Sequence, residues 1–272
     1  MADVDAIVDD LQAERAELDA AVSGVDADQW HRPTAARGLR VVDQIAHLNW
    51  TDELVIRAIR APDRFAEEVD GVLAAPHATE SINAGSAFVN AGTVQRSTWP
   101  RSRLLATWRR SADELSAILR ALPRGTRIPW FAPRPLSAAA MAAARVMETW
   151  AHGQDVFDAL ERPRRPTRRL VHIVRLGVRS RDFAYQLRGM EPPCAEFRIE
   201  LRAPDGELWT WGPADAPDRV TGLALDFALV VTQRLHRDDA DLTTEGCAPE
   251  QWLGIAQAYA GPAGAGRERI GS

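Results

Sequence analysis

The sequence predicts a mainly helical chain: a four-helix bundle followed by a small α+β domain. Three observations carry this expectation. Apolar residues recur at helical spacing in four separate stretches of residues 1–162. Proline and glycine interrupt the chain between those stretches. Beyond Pro192 and Pro193 the pattern changes to strict alternation, the period of a half-buried strand.

The elements follow in order. Val4, Ile7, Val8, Leu11, Leu18 and Val22 form the apolar stripe of a first helix that Gly24 can end. After a loop holding Pro33 and Gly38, a second helix is expected from Val41 to Ile59, with Ile45, Leu48, Leu54 and Val55 apolar. Gly71 to Pro100 is weakly patterned and reads as a long connection carrying some short helix. Ser102 is a candidate cap for a third helix with Leu105, Trp108, Leu115, Ile118 and Leu122 on its buried face. Pro123, Gly125, Pro129, Pro133 and Pro135 then break the chain, and Ser137 opens a fourth helix running to about Leu160. Four helices with long connections make a bundle. An arginine-rich helix is expected over Leu170–Leu187, a hairpin over 197–211 about the turn Pro204-Asp205-Gly206, and helices over Val220–Leu235 and Pro249–Tyr259. The expected domains are 1–162 and 163–260, with a glycine-rich, flexible tail over 261–272.

Composition excludes several functions. The net charge of −5 gives no basic footprint for nucleic acid. No apolar run is long enough to span a membrane, and the acidic N-terminus has no apolar signal core, so a cytoplasmic protein is expected. The chain has no lysine; all 33 basic residues are arginine. Schiff-base and lysine-anchored pyridoxal chemistry are therefore absent, as is the phosphate loop that ends in lysine. Neither a GxGxxG fingerprint nor a GxSxG elbow occurs. Cys194 and Cys247 have no CxxC partner and read as buried or partly buried thiols.

One constellation carries chemistry. Glu148 and His152 are separated by one helical turn and so share a face. His47, in a similar helical setting beside Gln44, Trp50 and Thr51, is a third candidate ligand. Two imidazoles and a carboxylate leave a position open on zinc, the pattern of a reactive site. A neutral core histidine, or a simple Glu–His pair, explains the same spacing. Asp155 lies one turn beyond His152, placed either to orient its imidazole or to face solvent. His31, His77, His172 and His236 have no ligand spacing.

The segments from Asp43 to Glu53 and from Glu148 to Val156 resemble the two metal-binding helices of the DinB-like superfamily, and more narrowly its mycothiol-dependent maleylpyruvate isomerase branch. The string from Glu148 to Asp155 resembles an actinobacterial metal-binding subgroup. The resemblance extends to the smaller α+β domain, where Asp218-Arg219-Val220-Thr221-Gly222 leads a helix ending in Thr232-Gln233-Arg234. It implies a DinB-like bundle holding a divalent metal, usually zinc, through His47, Glu148 and His152. It further implies a thiol, mycothiol, that adds to an activated double bond and leaves after rotation, or is transferred. Arg234 matches the arginine implied to bind the substrate carboxylate through its planar fork; Arg237 is the second match and the cofactor-binding candidate.

The loop before His47 departs from the family. It reads Arg37-Gly38-Leu39-Arg40 where Trp-Ser or Trp-Thr is usual. Trp50 and Trp150 flank the ligands and suit either an apolar pocket or the bundle core. The arginines Arg168, Arg169, Arg175, Arg179, Arg181 and Arg188 read as a solvated face or as a site for an anionic ligand. The leading expectation is a zinc-dependent isomerase or mycothiol S-transferase acting on an unsaturated, carboxylate-bearing small molecule, as monomer or homodimer. The alternatives are a thiol-independent metal enzyme (isomerase, hydratase or cyclase of secondary metabolism) and a non-catalytic metal or small-ligand binding protein.

Overall fold

The computed structural model describes residues 3–73, 78–131 and 135–271. The chain divides into two compact units, Met1–Arg164 and Arg165–Ser272. His77 lies outside the described residues.

In the first unit, α1 (Val4–Ser23) is capped by Asp3, whose side chain accepts from the Asp5 N–H, and ends at Gly24. A short α2 (Ala27–Trp30) carries a capping box between Asp26 and Gln29. Next come α3 (Val41–Arg60), α4 (Pro62–Leu73), α5 (Ala78–Ser97), α6 (Arg101–Ala121) and α7 (Ala138–Ala159). The two-residue strands β1 (Arg127–Ile128) and β2 (Leu136–Ser137) pair before α7. The bundle is formed by α1, α3, α6 and α7: α1 packs on α6 and α7, and α3 packs on the same two. Leu18, Val42, Ile45, Leu48, Leu104, Trp108 and Val156 belong to its core.

Two expectations change here. The stretch Gly71–Pro100 is not a long connection; α4 and α5 occupy most of it, and α5 runs along α3. Its alanines, glycines and polar residues give little periodicity because the contact with α3 needs small side chains. A Cβ on Gly92 would lie 2.1 Å from Trp50 Nε1. Ser102 does not cap α6; Pro100 precedes the helix, and its carbonyl accepts from the Leu104 N–H.

In the second unit, α8 (Leu170–Arg179) and α9 (Arg181–Gln186) replace the single helix expected there. The break is Ser180, whose hydroxyl donates back to the Gly177 carbonyl. A four-stranded sheet follows in the order β4-β3-β5-β6, built from β3 (Arg198–Arg202), β4 (Leu208–Trp211), β5 (Arg219–Leu223) and β6 (Leu242–Glu245). The expected hairpin is β3–β4, antiparallel with Leu201 opposite Trp209. Strand β5 lies parallel to β3 and antiparallel to β6.

The expected helix from Val220 is corrected: residues 219–223 form β5, and α10 is only Ala224–Val231. Tertiary pairing on both sides of β5 overrides the local apolar density. Gly222 takes φ 147° there, and a Cβ would lie 2.2 Å from the Asp241 carbonyl oxygen. A 3-10 turn (Arg237–Asp239) and α11 (Cys247–Ile255) complete the unit. Residues of the 261–271 stretch are hydrogen-bonded: Arg188 donates to the Gly264 carbonyl, and the Ile270 N–H to Asp239. Among the described residues no helix is long and apolar enough to cross a membrane.

Candidate metal centre

The centre is built by α3 and α7. On α3, Gln44 and His47 are separated by three residues and so share a face. On α7, Glu148 and His152 do the same at a spacing of four. Contacts between the two helices pair Gln44 with His152, His47 with Glu148, and Asp52 with Arg145. The helices are therefore antiparallel, and the four site residues meet in their shared seam.

His47, Glu148 and His152 each offer a ligand atom, all within 4.8 Å of one another. His47 Nε2 lies 3.4 Å and His152 Nε2 3.3 Å from Glu148 Oε2. The imidazole centroids are 4.3 Å apart. The side chains keep 17, 23 and 14% exposure for His47, Glu148 and His152 in turn, so the cluster opens to solvent. Burial alone would raise the Glu148 carboxyl. Hydrogen bonds from His152 and His47, with their positive charge, outweigh it and hold the group well below the ordinary carboxylate range.

A relay of hydrogen bonds fixes one tautomer. The Thr34 hydroxyl donates to the Leu39 carbonyl at 2.9 Å. Its oxygen is therefore left to accept from Gln44 Nε2 at 3.0 Å. That orients the Gln44 amide so that Oε1 meets His152 Nδ1, which must carry the proton. With Nδ1 protonated, His152 Nε2 either donates to Glu148 Oε2 as part of an imidazolium or, in the neutral ring, turns its lone pair to the carboxylate. In the neutral ring two acceptors face each other, and a cation between them would relieve their repulsion. The donor set thus fits a divalent metal: two imidazole nitrogens and one carboxylate oxygen, with the carboxamide behind one imidazole supplying the outer support that metal-bound histidines require.

The remaining predicted residues have other surroundings. Asp155 is buried farther along α7, not solvent-facing. Asp43 reaches back from the first turn of α3 to the Arg40 N–H at 2.8 Å and to its guanidinium. Trp50 lies one turn beyond His47, with Arg96 4.1 Å from its ring centroid and Gly92 against its edge. Arg234 and Arg237 belong to the second unit, where Arg234 donates to the Thr232 carbonyl and Arg237 pairs with Glu250. Both cysteines are free and exposed, contrary to the buried setting expected for them.

Sequence reasoning missed the role of Gln44, although Gln44 was already on the His47 face. Thr34 had no local signal at all, since only the fold brings its loop to Gln44. Also missed was a buried charge cluster beside the centre. Arg15 Nη2 contacts both Asp52 oxygens at 2.8 Å, and Arg145 Nε donates to Asp52 Oδ1 at 3.0 Å.

The first unit is thus an antiparallel helical bundle with two histidines and a glutamate converging on one seam, and an α+β unit follows it. A family model described as the mycothiol maleylpyruvate isomerase N-terminal domain matches residues 11–157, and the chain belongs to that family. A second model, described as wyosine base formation, matches residues 193–245. Two uncharacterized proteins of Mycobacterium tuberculosis, from strains CDC 1551 / Oshkosh and ATCC 25618 / H37Rv, are 44% identical over 267 residues, covering 98% of this chain and 100% of theirs. The crystal structure of the mycothiol-dependent maleylpyruvate isomerase aligns with a TM-score of 0.58 at 15% identity, over 91% of this chain and 96% of that one. A histidine-to-alanine mutant of that enzyme aligns equally well at 14% identity. At such identities the likeness is one of fold.

Proposed function

We propose that this protein is a zinc-dependent enzyme of thiol chemistry, an isomerase or S-transferase that uses mycothiol, or a thiol of its kind, on a small unsaturated acid. The observation that carries the reading is the convergence of His47 Nε2, His152 Nε2 and a Glu148 oxygen at an exposed seam. Family membership supports the thiol. A divalent metal in this donor set supplies a Lewis acid with an open position, which lowers the pKa of a thiol and polarises a substrate oxygen.

The chain's own residues do the rest. Glu148 contributes the single negative charge, so the site keeps a net positive charge with a divalent metal and favours an anionic sulfur. Gln44 holds the His152 ring in its ligating tautomer. Partial exposure of all three side chains admits the thiol and the acid from solvent. On the family reading Arg234 takes the substrate carboxylate, and Arg234→Lys raises KM more than it lowers kcat.

The first test is metal content of the purified protein by mass spectrometry, beside Glu148→Ala and His152→Ala. About one metal per chain in the wild type, lost in both variants, supports the site. Metal absent from the wild type, or retained in both variants, removes the basis of the proposal. With metal present, turnover of unsaturated acids is followed with and without added thiol. Turnover without thiol favours the thiol-independent alternative, and no turnover under either condition favours a binding protein.

A further inference from the structure

The second unit contains a cavity of about 200 Å³ whose lining includes Arg188, Arg237 and Arg267. Its walls come from the turn after α9, the end of α10, the 3-10 turn, α11 and the chain at 264–267. Arg188 has no carboxylate partner, and Arg237 has one N–H without an acceptor. Arg188 donates to two backbone carbonyls, those of Ala184 and Gly264, and to no carboxylate. Burial pushes its guanidinium below the ordinary value, and only Tyr259 opposes that. Arg237 gives Nη2 to Glu250 at 2.9 Å, but its Nε is buried with no acceptor. A buried N–H without a partner is costly, and an oxyanion would satisfy it.

The backbone here is also held in an uncommon form. Gln233 takes φ 61°, the left-handed region, although it is not glycine. Its amide is locked on both sides, accepting from the Tyr259 hydroxyl and donating to the Ala256 carbonyl. Gly264 crosses directly over it, and a Cβ there would lie 1.9 Å from Gln233 Oε1. Strain kept in place by its surroundings at a cavity wall is typical of binding sites. His236 Nδ1 accepts from the Asp238 N–H, so its proton sits on Nε2 and adds one more donor to the lining.

Size and charge define the occupant. At roughly 30 Å³ per water molecule, the cavity holds about six waters' worth of ligand. That is room for a small anion and far too little for a whole thiol conjugate. The charged residues of its lining are Arg188, Arg237, Arg267, Asp238 and Glu250, a formal balance of one positive charge. A single charge calls for a monoanion.

We propose that this cavity is a carboxylate site of the second unit, in which a small monocarboxylate is bound by Arg188 and the Arg237 Nε–H. It is built without His47, Glu148 and His152, and without Arg234. It therefore binds its ligand whether or not metal is present.

The test uses the full chain, with and without a chelator, titrated with acetate and separately with inorganic phosphate at low salt. Arginine Nε–H resonances are followed by NMR, with Arg237 assigned from its Arg237→Lys variant. The expected result is a saturable shift of the Arg237 signal by acetate, with Kd on the order of 1 mM as one charge-assisted contact pair allows. The shift should be unchanged by the chelator and weakened about tenfold or more in Arg188→Gln. Circular dichroism of Arg188→Gln, and its metal content, should match the wild type. No saturable shift in the wild-type protein overturns the proposal without recourse to any variant. Tighter binding of phosphate than of acetate overturns the monoanion assignment, and loss of binding with the chelator ties the anion to the metal and overturns an independent site.

Discussion

Asp52→Asn tests whether the bundle around the α3–α7 seam depends on the buried charges beside it. Asp52 on α3 stands between Arg15 of α1 and Arg145 of α7, and all three are buried, with Asp52 1% exposed. Arg15 also ties α6, through the Ala112 carbonyl at 2.7 Å and Ser116 Oγ at 3.1 Å. One carboxylate thus couples all four bundle helices. Burial lowers the Arg15 guanidinium from its ordinary value; Asp52 is the main opposing influence, while Arg145 adds to the lowering. Arg15 Nε and Arg145 Nη2 already lack acceptors, so no reserve of hydrogen bonds can replace the lost carboxylate.

Asparagine keeps the shape of Asp52 and removes its charge, leaving two buried guanidinium groups uncompensated. Breaking a buried pair in this way costs about 3–5 kcal/mol, and the isosteric change belongs at the lower end. At roughly 2–4 °C per kcal/mol for a unit of this size, the first unit should melt about 6–12 °C lower in a calorimetric scan. Replacing the whole cluster, as Arg15→Met, Asp52→Leu and Arg145→Met together, should restore most of that loss, because apolar groups of similar volume commonly match or exceed a buried ion cluster. A fall of under about 2 °C for Asp52→Asn would show that water reaches the cluster and that the reasoning from burial is wrong.

Three further outcomes follow from the same geometry. Gln44→Leu removes the acceptor behind His152 and should weaken metal binding by about 10–100-fold at near-native helix content; competition with a chromogenic chelator measures it, and Gln44→Glu should recover part of the affinity. Glu148 in the metal-free protein has a depressed folded-state pKa, so the unfolded chain binds more protons just below the ordinary value of 4.5. Its contribution to stability is present above that value and disappears as pH falls through the lower folded-state pKa, so Glu148→Gln should flatten the acid limb of urea-midpoint-against-pH curves recorded without metal. Gly92→Ala forces a methyl onto the Trp50 ring and should cost about 1–3 kcal/mol, visible as a lower urea midpoint with altered tryptophan fluorescence.

The cluster of His47, Glu148 and His152 was legible in part because helical periodicity converts a spacing of four into a shared face, and because Ser137 marks the start of α7. Val41–Arg60 lies close to the range its apolar stripe defines, and Ala138–Ala159 close to the range expected after Ser137. That His47 meets Glu148 depends on α3 and α7 being antiparallel neighbours in the seam. The stripes do not encode this pairing; the family resemblance supplied it. What failed to read shares one cause. Helix α5 is held by close approach to α3, strand β5 by neighbours 20 or more residues distant in sequence, and the Thr34–Gln44 relay by a loop closing on a helix. Each is a tertiary contact that leaves only small or ordinary residues in the chain, and local patterns do not register them.

The absence of lysine also acquires a structural consequence at the helix ends. The last carbonyls of a helix have no intrahelical donor and need one from elsewhere. In this protein arginines from distant segments supply it. Arg101 donates to the carbonyls of Val22, Ser23 and Val25 at the end of α1, Arg162 to that of Ala21, and Arg32 to that of Ala159 at the end of α7. A guanidinium serves three carbonyls at once because its donors lie in a fixed plane; an ammonium on a flexible stem cannot span them without losing more side-chain entropy. Arg101→Lys keeps the charge and discards only that geometry. It should lower stability by about 1–2 kcal/mol, the worth of one or two lost charge-assisted bonds, and speed amide exchange at Ser23–Val25 with no change at His47, Glu148 and His152. An unchanged exchange rate at those residues would mean that charge near the helix end, and not the fork, stabilises the α1 terminus.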